Sequence, residues 1–158
     1  MKKIVITGGL GYIGTELCKI YSGESWSNQI TVIDNRFLSD RVNQLRSWNI
    51  NFVHADITKA QDVKRFLNEA DIVHHLAGIT DVARTKDETN EIKDKKMIEI
   101  SKEGMNTLLS QTSKNCKIVF PSTHVVFEGK TEQIKNIKED FATFPVLPYS
   151  LSKCENEK

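Results

Sequence analysis

ITGGLGYIG, residues 6–14, decides the fold. It joins two stretches of different character. Before it, KKIVIT (2–7) is apolar from Ile4 to Ile6, which predicts a strand buried on both faces. After it, YIGTELCKIYS (12–22) carries Ile13, Leu17 and Ile20 at helical spacing. Gly8, Gly11 and Gly14 stand where the strand turns into the helix. Glycines so placed have separate uses. Gly8 permits a tight turn, Gly11 lets the backbone approach a pyrophosphate, and Gly14 lets the helix pack against the strand. The opening turn of the helix then offers N–H groups to the anion. A glycine-rich turn without a ligand is the plainer alternative; the flanking strand and helix favour the anion site.

The same alternation runs down the chain. QITVID (29–34), INFVHAD (50–56), DIVHHLAG (71–78) and CKIVFPS (116–122) read as further strands. RVNQLRSW (41–48), KAQDVKRFLNE (59–69) and KMIEISKEGMNTLLSQTS (96–113) read as helices, and a last helix begins near Tyr149. A polar stretch, 80–95, precedes the long helix. Buried strands each followed by a helix imply an α/β fold, a doubly wound parallel sheet with right-handed crossovers. Residues 123–148 have little periodicity and are too many for an idle connection, so they are expected to carry function or to move.

Composition narrows the partners. The 158 residues hold 22 basic and 21 acidic side chains, a net charge of +1. That balance gives no reason to expect nucleic acid or an anionic membrane. The apolar runs are too short for a transmembrane helix. The run after MKK is about three residues, below the roughly seven of a signal peptide's core. Cys18, Cys116 and Cys154 show neither metal spacing nor a disulfide framework. His74 and His75 lack acidic partners at a recognisable spacing and are read as structural, so no metal is expected. A cytoplasmic location is the default reading.

Three positions add chemistry to the loop. Asp34 ends the second strand, where a carboxylate can accept from both hydroxyls of an adenosine ribose and repel a 2′-phosphate. This favours NAD over NADP; a turn cap is the alternative. Arg36 and Arg41 lie close enough in sequence to soften that preference. Asp56 ends the third strand, and taken alone it reads as a turn residue. Tyr149 and Lys153 are four apart, one face of a helix, the spacing of an acid–base pair or of an ordinary surface pair.

TGGLGYIG, VIDN, HADI, HLAG, STHVVFEG and PYSLSK occur in that order. Together they resemble the extended short-chain dehydrogenase/reductase family, the NAD-dependent epimerase/dehydratase group acting on nucleotide sugars. The resemblance runs the length of the chain and implies a Rossmann fold. It implies that Gly8, Gly11, Tyr12, Ile13 and Gly14 meet the pyrophosphate, and that Asp34, Asn35 and Arg36 lie at the adenosine ribose. It places Asp56 and the Ile57 amide at the adenine, and Leu76, Ala77 and Gly78 along the cofactor toward the nicotinamide. Thr123 matches the family's active-site Ser or Thr, Tyr149 its general acid/base, and Lys153 the lysine that supports the tyrosine and also touches the cofactor.

Two departures stand out. Ser101 occupies a position on the long helix where the family often has asparagine. Thr123-His124-Val125 replaces the Thr-Asp-Glu frequent in sugar dehydratases, which disfavours dehydration; His124 is read as a packed or solvated side chain. The resemblance therefore implies a nucleotide-sugar epimerase with NAD, forming a homodimer through the helix 96–113 and the helix that starts at Tyr149. STHVVFEG also resembles deoxysugar nucleotide reductases, which makes reduction the runner-up. A non-catalytic dinucleotide-binding regulatory module is the reading from another class, and the Tyr149–Lys153 pair argues against it. Family members run to about twice this length. The expectation is an NAD-binding domain over 1–158, truncated after the active-site helix, without the substrate domain and with 116–122 left as an apolar edge.

Overall fold

The computed structural model describes residues 1–23, 28–80, 90–130 and 135–158. Five parallel strands form one sheet in the order β3-β2-β1-β4-β5. They are β1 (Lys3–Thr7), β2 (Gln29–Asp34), β3 (Asn51–His54), β4 (Ile72–His75) and β5 (Lys117–Val119). The order reverses at β1, which pairs with β2 on one side and β4 on the other. This is the Rossmann arrangement, and ligands of such sheets bind beyond the carboxyl ends of the strands at the reversal.

The helices are α1 (Tyr12–Gly23), α2 (Ser39–Ser47), α3 (Ala60–Asn68), α4 (Glu91–Gln111) and α5 (Pro148–Asn156). The chain divides into two compact units, Met1–Gly78 with Glu103–Pro121, and Ile79–Lys102 with Ser122–Lys158. The first unit holds the sheet. Alternation along β1 and β2 separates two cores. Ile4, Ile6, Ile30 and Val32 join Cys18 of α1 and Val42 and Leu45 of α2. Val5 and Ile33 join Val63 and Leu67 of α3 and Met105 and Leu108 of α4. Helices thus cover both faces, and side chains on both sides of a central strand are buried, as the apolar strands require.

Three expectations change in detail. The buried residues of α1 are Gly14 and Cys18, while Ile13 and Ile20 are 62% and 59% exposed. Leu17 and Tyr21 pack against the core beside Cys18, and Gly14 is small where the helix meets the glycine loop. The helix α4 begins at Glu91, within the stretch read as polar; of that stretch, 81–89 lie outside the described residues. Strand β5 is three residues long, with Lys117 and Val119 exposed and Ile118 half-buried.

The second unit orders much of 123–148. Thr123 caps a 3-10 helix, His124–Phe127, by accepting from the Val125 N–H at 3.3 Å. The Phe144 N–H donates to the Val126 carbonyl at 2.7 Å and the Gly129 N–H to the Phe144 carbonyl at 2.9 Å. A Cβ at Gly129 would stand 2.6 Å from the Phe144 oxygen, so this pairing demands glycine.

Candidate active site

The glycine loop lies entirely in the sheet-bearing unit. Gly8 has φ +69°, the left-handed region that glycine enters without strain. Its N–H donates to the Ile33 carbonyl at 2.7 Å, and its carbonyl accepts from the Gly11 N–H at 3.0 Å. A Cβ on Gly8 would meet the Ala77 backbone at 2.7 Å. Gly8 therefore does more than turn the chain: it brings the loop against the segment that leaves β4. Gly14 packs on the loop rather than on the strand, since a Cβ there would meet the Gly9 Cα at 2.6 Å. Tyr12 and Ile13, at the opening turn of α1, are exposed. The first amides of a helix lack intrahelical acceptors, so this end is suited to an anion.

Asp34 is 5% exposed at the end of β2. Its Oδ2 accepts from the Leu10 N–H at 3.0 Å and from Arg36 Nη2 at 3.3 Å. Its Oδ1 accepts from the Arg36 N–H at 3.0 Å and Arg36 Nε at 3.2 Å. The carboxylate raises the Arg36 guanidinium above its ordinary pKa, chiefly by hydrogen bonding. Arg41 Nη1 donates to the Leu10 carbonyl. Asp34 thus anchors the glycine loop through Leu10 and also gathers Arg36. The sequence reading missed the role of the Leu10 amide; a buried acid implies partners, but not which ones.

Asp56 takes its turn-residue reading here: Oδ1 accepts from the Thr58 N–H at 3.0 Å and the Thr58 hydroxyl at 2.9 Å. The Ile57 side chain belongs to the core, which leaves its backbone for contact outside. Asn35 is exposed and its carbonyl bonds His54 Nε2 at 3.0 Å. After β4, Leu76 and Ala77 are half-buried and Gly78 is exposed, with none of the described residues within 4 Å of the position a Cβ would take. The two neighbouring histidines are engaged in packing contacts. His75 Nδ1 bonds the Thr7 hydroxyl at 2.8 Å, and its ring stacks on Phe120 at 5.9 Å. His74 Nε2 bonds the Tyr21 hydroxyl at 2.8 Å, and burial and Lys117 lower its pKa.

The second unit carries Thr123, Tyr149 and Lys153. Pro148 opens α5, where its missing N–H costs no helical bond. Lys153 Nζ lies 5.8 Å from the centroid of the Tyr149 ring, so the pair shares one helix face. Burial pushes the Tyr149 phenol above its ordinary pKa. Burial also lowers the Lys153 ammonium, and Glu157 offsets part of that. Desolvation is the cause of the Tyr149 shift. His124 is exposed at the start of the 3-10 helix. Ser101 does make a contact: Asn156 Nδ2 donates to its hydroxyl at 2.9 Å and its carbonyl at 3.3 Å. An amide is thus present after all, supplied by α5. Asn156, and Glu128, which accepts from the Val146 and Leu147 amides and the Ser150 hydroxyl, were not legible in the sequence, since their partners lie far along the chain.

This chain is similar to several known proteins. The sequence profile of the 3-beta hydroxysteroid dehydrogenase/isomerase family matches residues 5–158. CDP-paratose 2-epimerase of Salmonella typhi is 35% identical over 142 residues, covering 84% of this chain and 40% of that protein. Bifunctional UDP-glucose 4-epimerase and UDP-xylose 4-epimerase 1 of Pisum sativum is 27% identical over 165 residues, covering 96% of this chain and 45% of that one. The crystal structure of UDP-glucose 4-epimerase from Brucella ovis in complex with NAD has a TM-score of 0.80 at 23% identity, covering 99% of this chain and 46% of that one, a likeness of fold. This chain spans less than half the length of each of these relatives. Sheet order, glycine loop and profile match agree: the chain belongs to the 3-beta hydroxysteroid dehydrogenase/isomerase family, among the extended short-chain dehydrogenase/reductases that include nucleotide-sugar epimerases and dehydratases.

Proposed function

We propose that this chain is the cofactor-binding and catalytic part of an NAD-dependent nucleotide-sugar epimerase, a cytoplasmic homodimer whose sugar-holding domain lies outside these residues. The observation that carries the reading is the Tyr149–Lys153 pair on one face of α5, in a chain that also bears the glycine loop and Asp34. The residues fit a dinucleotide. Gly8 and Gly11 carry no side chain in the loop, α1 opens toward an anion, and among the described residues nothing crowds Gly78 after β4.

Gly8, Gly11, Gly14 and the amides of Tyr12 and Ile13 hold the pyrophosphate. Asp34 and Asn35 hold the adenosine ribose, with Arg36 beside them, and Asp56 and the Ile57 amide meet the adenine. Leu76, Ala77 and Gly78 line the path to the nicotinamide. NAD supplies a hydride acceptor and, when oxidised, a positive charge. Tyr149 takes the proton from a sugar hydroxyl as the carbon beneath it is oxidised. Thr123 holds the same sugar oxygen. Lys153 bonds the nicotinamide ribose and stabilises the phenolate. A free tyrosine has a pKa of about 10, and burial raises this one further. Positive charge is therefore required for Tyr149 to act near neutral pH. In an epimerase Tyr149 would then return the proton to the same sugar oxygen once the sugar had turned in the pocket.

The test uses the full-length protein and a panel of nucleotide sugars. An epimerase interconverts two sugars with catalytic NAD and no net change in cofactor absorbance. Stoichiometric oxidation of NADH would assign the runner-up, a reductase. NAD binding without turnover on any sugar would favour a regulatory module. Tyr149→Phe is expected to cut turnover about a hundredfold or more with NAD affinity nearly intact; near-normal turnover would remove Tyr149 from the mechanism.

A further inference from the structure

Glu128 is a charged group that this reaction scheme leaves unused. It follows the 3-10 helix that Thr123 caps. Its Oε1 accepts from the Val146 N–H at 2.9 Å, the Leu147 N–H at 2.6 Å and the Ser150 hydroxyl. Leu147 is the cap position of α5 and offers no side-chain cap. The chain entering the helix that carries Tyr149 and Lys153, and the Ser150 hydroxyl in its first turn, are thus held by a carboxylate from a distant stretch of chain. Burial pushes the Glu128 carboxyl up, but its bonds from Ser150, Leu147 and Val146 outweigh this and hold it below its ordinary pKa. It is charged at neutral pH, the favourable sign at a helix N-terminus.

We propose that Glu128 is a positioning residue: by bonding Val146, Leu147 and Ser150 it fixes the entry of α5, and so the bearing of Tyr149 on Thr123. The inference rests on the roles given above to Thr123 and Tyr149. A helix as short as α5, Pro148–Asn156, holds its ends poorly by itself. Tyr149 sits in its first turn, between Leu147 and the fully buried Ser150. Losing the cap frays that turn first. Lys153 lies one turn further in and moves less. Small errors in the bearing of a reacting group cost rate well before they cost cofactor affinity.

Three substitutions in the full-length protein separate the possibilities. Glu128→Ala removes the acceptor and is expected to lower kcat by about tenfold to a hundredfold, with NAD affinity changed by less than about twofold. Glu128→Gln keeps the length and an acceptor oxygen, and is expected to restore most of kcat. Glu128→Asp keeps the charge but is one methylene shorter, and is expected to stay impaired. Hydrogen exchange at residues 146–151 should quicken in the Ala and Asp variants and stay near the parent rate in the Gln variant. That readout needs no turnover. If Tyr149→Phe keeps its activity, the functional assignment fails while the exchange result still tests the cap. Unchanged kcat and exchange in Glu128→Ala would overturn the proposal. If Glu128→Ala does not fold, the Gln and Asp variants decide: a Gln variant no better than Asp overturns it as well.

Discussion

Asp34 meets more donors than a ribose ligand needs. One oxygen holds the Leu10 amide, and both hold Arg36. A ribose at this carboxylate competes with Arg36, the more exposed partner, and not with Leu10, whose residue is fully buried. Cofactor choice and loop stability are then separable. Asp34→Ala removes the repulsion of a 2′-phosphate and narrows the NAD preference by on the order of a kcal/mol. It also strands the Leu10 N–H, costing about 1–3 kcal/mol of stability. Asp34→Asn keeps an acceptor for Leu10 and is expected to narrow the preference with less loss of stability. Arg36→Ala removes a cation that can meet a 2′-phosphate and should widen the preference. Calorimetric titration with both cofactors, beside denaturant melts, reads these effects; equal affinities in the parent protein would refute the NAD preference. At Tyr149 the signs are also fixed. Burial raises the phenol, and in the proposed mechanism the positive charges of Lys153 and of a bound oxidised nicotinamide would oppose that rise. Lys153→Met removes one opposing charge, so the Tyr149 pKa rises. A general base acts deprotonated, so the ascending limb of kcat/KM should move to higher pH. A limb that stays in place would mean that the lysine does not act on the phenol.

Among the elements, the turn from β1 to α1 is the least forgiving of a methyl group. Gly8→Ala meets a left-handed φ and the Ala77 backbone at 2.7 Å together. The φ alone costs roughly 1–2 kcal/mol, and the overlap forces the loop off β4, so a total on the order of 3 kcal/mol is expected in denaturant melts. Gly78→Ala is the control: none of the described residues lies near the added Cβ, and stability should hold within about 0.5 kcal/mol. The same turn marks what sequence can tell. The glycine loop, β2 and Asp34 were legible because backbone sterics and two-sided burial leave local signatures. The packing face of α1 was read only in part: Leu17 does pack against the core, but Ile13 and Ile20 are exposed, and Gly14, Cys18 and Tyr21 complete the face. Tyr149 and Lys153 were legible from their spacing. Glu128, Asn156 and the Leu10 amide were not, because each bonds a partner brought close only by the fold.

At the scale of the whole molecule, an edge remains. In the sheet order β5 is terminal, and Val119 is 37% exposed while Ile118 is half-buried. A parallel strand carrying apolar side chains is usually covered on both sides. Among the described residues no strand pairs with the outer row of N–H and C=O groups of β5, and exposed apolar residues would add to a contact made there. Strand β3, at the other end of the sheet, is less prone to this: Asn51 and His54 are its exposed residues, and polar side chains discourage edge pairing. The 158-residue chain is therefore expected to self-associate through β5 as concentration rises. Light scattering across a concentration series reads this as a growing mean mass. Val119→Lys places a charge on the edge where like charges would face each other, and should return the mass toward that of a monomer. Asn51→Lys, on β3, should change little. A parent chain that stays monomeric throughout the series would show that β5 is not an adhesive edge. A parent that associates equally with and without Val119→Lys would move the contact elsewhere, with α4 and α5 the next surfaces to test, since Ile92, Leu109 and Leu151 are exposed there.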